Sequence, residues 1–64
     1  MSKAAEFLRH KLEALQLAME GTLADLDKIP EPWAQRRKAT VHRQIARLQT
    51  QIEQAWRIET AGEA

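Results

Sequence analysis

The groups in this 64-residue chain that could do chemistry are two His, nine Asp and Glu, ten Lys and Arg, and one Ser at the start. A metal centre or an acid–base pair would have to be built around His10 and His42. A chain folded back near Pro30 sets His10 level with Thr50 and His42 level with Ala18, about eight positions apart, or roughly 12 Å of helical rise. Two imidazoles at that distance cannot share a metal. The carboxylate-bridged bundle motif, Glu-x-x-His, is also missing, because Glu6 and His10 are one residue too far apart. There is no Cys or Tyr for nucleophilic or acid–base work, and the only Ser is Ser2, at the start of the chain where fraying is expected. Gly21 and Gly62 stand alone, so no glycine-rich phosphate loop is present. The expectation is a protein without enzymatic activity, cofactor or metal.

The chemistry left is that of guanidinium groups. Arg36, Thr40, Arg43, Arg47, Thr50, Gln54 and Arg57 follow one another at gaps of 4, 3, 4, 3, 4 and 3. In a helix that spacing makes one continuous stripe. No acid occurs between Pro32 and Ile52, whereas Arg36, Arg37, Lys38, Arg43 and Arg47 all do. Arg forks to carboxylates or phosphates. Trp33 stands one turn before Arg36 and Arg37, where its ring can lie against either. Trp33, Arg36, Arg37, Arg43 and Arg47 are therefore the candidate partner-binding residues.

The elements that must carry this stripe are legible from apolar spacing. Ala5, Leu8, Leu12, Leu15, Met19, Thr22, Leu26 and Ile29 recur at alternating gaps of 3 and 4. That is the seam of a helix facing a partner helix. A matching stripe follows: Ala34, Val41, Ile45, Leu48, Ile52 and Ala55. Folding near Pro30 aligns them, with Leu26 against Ala34, Leu12 against Leu48 and Ala5 against Ala55. Thr22 then lies opposite Lys38, so the seam should be loosest near the turn. The predicted fold is all-α, a single-domain antiparallel two-helix hairpin with helices over about 3–28 and 31–61. Ser2 is a suitable N-cap and Gly62 a suitable stop. Pro30 ends the first helix by restricting Ile29, and both prolines can occupy the first turn of the second.

The first helix is apolar on a further side. Phe7, Ala14, Leu17, Ala18, Gly21 and Ala24 lie away from the seam. Ala14, Ala18 and Gly21 are small enough for another backbone to approach, which would offset the roughly 1 kcal/mol that Gly costs a helix. These six residues are the expected dimer interface of a homodimeric four-helix bundle. Assembly also answers the size problem, since a domain this small buries only about 60% of the surface its unfolded chain exposes, and without Cys it has no disulfide to help. Glu6, Glu13, Glu20 and Asp27 recur every seven residues as an acidic line beside the seam, read as a solvated flank. Trp56, at the open end, is expected to close the core over Leu8 and Ala5.

Net charge is +1 overall, with −1 over residues 1–30 and +2 over residues 31–64. Charges interrupt the first residues, so no signal peptide is expected. No apolar run approaches the ~20 residues that span a bilayer. The chain is read as soluble and cytoplasmic, without a membrane partner. Its expected function is a protein–protein interaction module: a small adaptor, accessory subunit or inhibitor that binds itself and a protein with an acidic or mixed surface. The alternative is a small nucleic-acid-binding regulator using the basic face of the second helix.

Overall fold

Two helices account for nearly all of residues 3–61, the part of the chain that the computed structural model describes. Helix α1 runs Lys3–Leu26 and helix α2 runs Pro32–Ala61. They pack against each other along their lengths as a hairpin. Ser2 and Gly62, the expected caps, lie outside the described residues.

Helix α1 ends two residues before the expected boundary. Its last bonds tighten: the Asp27 N–H still donates to the Leu23 carbonyl at 3.0 Å, but Lys28 donates to Asp25 and Ile29 to Leu26, both at 3.1 Å. The i−3 pattern occupies carbonyls that a helix end would leave unpaired. Pro30 keeps Ile29 out of helical geometry, and it belongs to neither helix. Only Pro32 enters α2, as its first residue, where a missing N–H costs nothing. The Glu31 carbonyl accepts the Ala34 N–H at 3.0 Å and so starts the second helix.

The apolar stripe of α2 is buried as its spacing predicts. Ala34, Val41, Ile45, Leu48 and Ala55 are all in the core, and Ile52 is half-buried. The stripe of α1 is not the expected one. Ala5 and Leu26 are buried and Leu12 and Met19 half-buried, but Leu8 is 51% and Leu15 46% exposed, and Thr22 is exposed. Arg9, Gln16 and Leu23 take their places as partly buried residues. The helix is thus rotated by roughly half a residue step, about 50°, from its expected orientation. The physical reason is that α1 is apolar in several directions, so heptad spacing does not fix its rotation. In the rotation observed, the partly buried Arg9 carries its guanidinium to Glu59.

Register differs as well. In the expected alignment Arg9 is level with Gln51 and Asp27 with Trp33. In the structure Arg9 bonds Glu59 at 2.7 Å and Lys38 bonds Asp27 at 2.8 Å. Both partners lie more than a turn farther along α2. Packing near the turn is also tighter than expected. The main buried cluster, Leu26, Ala34, Val41 and Ile45, sits at the turn end, with Met19, Leu23 and Ile29 packed on it. Lys38 does not intrude there, because its ammonium turns out to Asp27, while the Thr22 hydroxyl donates back to the Ala18 carbonyl at 3.3 Å.

A hairpin of this kind has one layer. Its extents are 50 × 14 × 12 Å and its radius of gyration is 14.9 Å, against about 11 Å for a compact domain of this length. Among the described residues no helix is long and apolar enough to cross a membrane.

Candidate functional site

The Arg stripe is laid out by the start of α2. Pro32 opens the helix, which puts Trp33 in the first turn and Arg36 and Arg37 one turn later. Trp33 is 50% exposed, and Arg36, Arg37, Arg43 and Arg47 are all exposed. Helical geometry keeps them on one broad side of α2. The threonines between them are satisfied locally. The Thr40 hydroxyl donates to the Arg36 carbonyl at 3.4 Å, and Thr50 donates to Ala46 at 3.3 Å. Such back-bonding spends the hydroxyls on the helix itself and leaves the guanidinium groups as the polar reach of this face.

Those guanidinium groups are not equivalent. Arg57 is held by Glu53 at 2.6 Å, one turn away. Arg43 makes a long contact to the Thr40 hydroxyl, 3.4 Å. Arg36, Arg37 and Arg47 have no ion-pair or hydrogen-bond partner for their side chains among the described residues. Among the described residues the expected stacking of Trp33 on Arg36 or Arg37 is not formed, and the cation–π contact there lies on α1, with Lys11 Nζ 4.9 Å from the centre of the Phe7 ring.

The acidic line of α1 belongs to the other side of the molecule. Asp27 holds Lys38, Glu13 holds Arg9, and Glu20 accepts from Gln16 at 3.2 Å. The Lys38 ammonium, bonded directly to Asp27, holds that carboxyl below its usual range, with its charge adding to the hydrogen bond. Arg9 does the same to Glu59, again chiefly through the hydrogen bond, and Glu59 in turn raises the Arg9 pKa above its ordinary value. These acids are therefore engaged within the chain, away from the Arg stripe.

The six expected dimer residues are all exposed. Leu17 is the most so of the large ones, at 70%. Gly21 has helical geometry, and a Cβ added there would meet nothing within 4 Å, so within the chain no backbone approaches it. Trp56 does not close the core over Leu8. It is half-exposed, and so is Leu8. On the edge that carries Leu8 is a groove of about 320 Å³ lined by Leu8, Leu12, Gln51, Gln54, Ala55 and Ile58. Sequence reasoning missed this exposed apolar edge. The available signal was Ile58, which the seam spacing of α2 leaves without a place.

His10 Nε2 lies 3.3 Å from Arg9 Nη2, and His42 is exposed on α2. Among the described residues no three His, Asp or Glu side chains gather in a metal-binding arrangement. Comparison of the chain with protein-family models, with curated proteins and with solved structures gives no match.

Proposed function

We propose that this chain is a non-catalytic protein–protein interaction module that works as a homodimeric four-helix assembly. In this reading the exposed side of α2 engages the partner, with Trp33, Arg36, Arg43 and Arg47 as anchors and Arg37 beside them. The observation that carries it is a half-exposed Trp33 next to Arg36 and Arg37, whose side chains, like that of Arg47, have no ion-pair or hydrogen-bond partner among the described residues. Trp and Arg are the side chains most enriched at binding hot spots. A dimer presents two copies of the surface, so a two-fold or tandem target gains avidity without new contacts. The complementary surface is an acidic or mixed groove on another protein. The reading also places the chain in the cytoplasm, as adaptor, accessory subunit or inhibitor.

The same row of Arg suits phosphates, and a mobility-shift titration with RNA and with DNA at low and moderate salt separates the two. A protein-binding module gives weak shifts that vanish at moderate salt, as nonspecific charge contacts do. A shift that survives moderate salt, with losses spread evenly over the four Arg substitutions, overturns the proposal in favour of a nucleic-acid target.

A further inference from the structure

We draw no further inference here: the strongest candidate, the exposed apolar edge of the hairpin carrying Leu8 and Leu15 of α1 and Ile58 of α2, supports none because nothing in the structure shows what covers it.

Discussion

Arg9 of α1 grips Glu59 of α2 with two bonds, Nε to Oε2 at 2.7 Å and Nη2 to Oε1 at 3.2 Å. The residues just before them, Leu8 and Ile58, line the groove on the opposite edge. One step along each helix therefore separates the edge that the chain closes for itself from the edge it leaves open. A bidentate Arg–carboxylate pair fixes orientation as well as distance, so this contact fits the rotation that α1 adopts on α2.

Acid should loosen the hairpin through that pair. The carboxyls of Glu59 and Asp27 titrate below their ordinary range in the folded chain, each through a hydrogen bond from a cation. Their contribution to stability is complete above the unfolded values, about 4.3 for Glu and 3.9 for Asp, and is lost as pH falls through the lower folded values. Thermal melts should be flat from about pH 7 to 5 and fall below about pH 4. Glu59→Gln should melt lower at neutral pH and lose part of this acid dependence. A variant with the original pH profile would show that the pair does not stabilise the fold.

Core truncations should rank by position along the seam. Leu26 and Val41 belong to the buried cluster at the turn end. Leu26→Ala should cost about 2–5 kcal/mol, the range for a large aliphatic side chain removed from a core. Leu17→Ala, at an exposed site, should stay within about 0.5 kcal/mol. Urea melts at a single protein concentration measure both.

Gly21 should tolerate a side chain. Nothing lies within 4 Å of a Cβ placed there, and its backbone is helical. Gly21→Ala should stabilise the chain by about 0.5–1 kcal/mol through helix propensity alone. A Gly21→Ala variant no more stable than the original chain in urea melts would mean that a second backbone does approach this site.

Helix α2 was more legible in the sequence than α1, for a physical reason. The apolar residues of α2 form one stripe, so Ala34, Val41, Ile45, Leu48 and Ala55 could be buried in only one way. Helix α1 is apolar around much of its circumference, and a half-step rotation exchanges Leu8 and Leu15 for Arg9 and Gln16 at little apolar cost. Register was hidden for a related reason. The seam pairs small and medium side chains, which do not single out one alignment, and the contacts of Arg9 with Glu59 and Lys38 with Asp27 could not be read from apolar spacing. The turn was readable because Pro30 and Pro32 restrict the backbone directly. At the candidate site, the exposure of Trp33 and the Arg row followed from spacing. The open apolar edge did not, because it exists only once α1 is rotated.

The proposed role of the Trp33 and Arg face of α2 is to meet a protein partner. Its most direct test is affinity capture from the native host after nuclease treatment, comparing the original chain with the Arg36→Glu, Arg43→Glu double variant and with Trp33→Ala. Helicity and sedimentation are recorded for each. A stoichiometric protein partner should be captured, and Trp33→Ala should weaken it most among single changes. The double variant should lose that partner completely while keeping its helicity and its dimer. Full retention of the partner by a folded, dimeric double variant would contradict the claim and leave the Arg row as a solvated face.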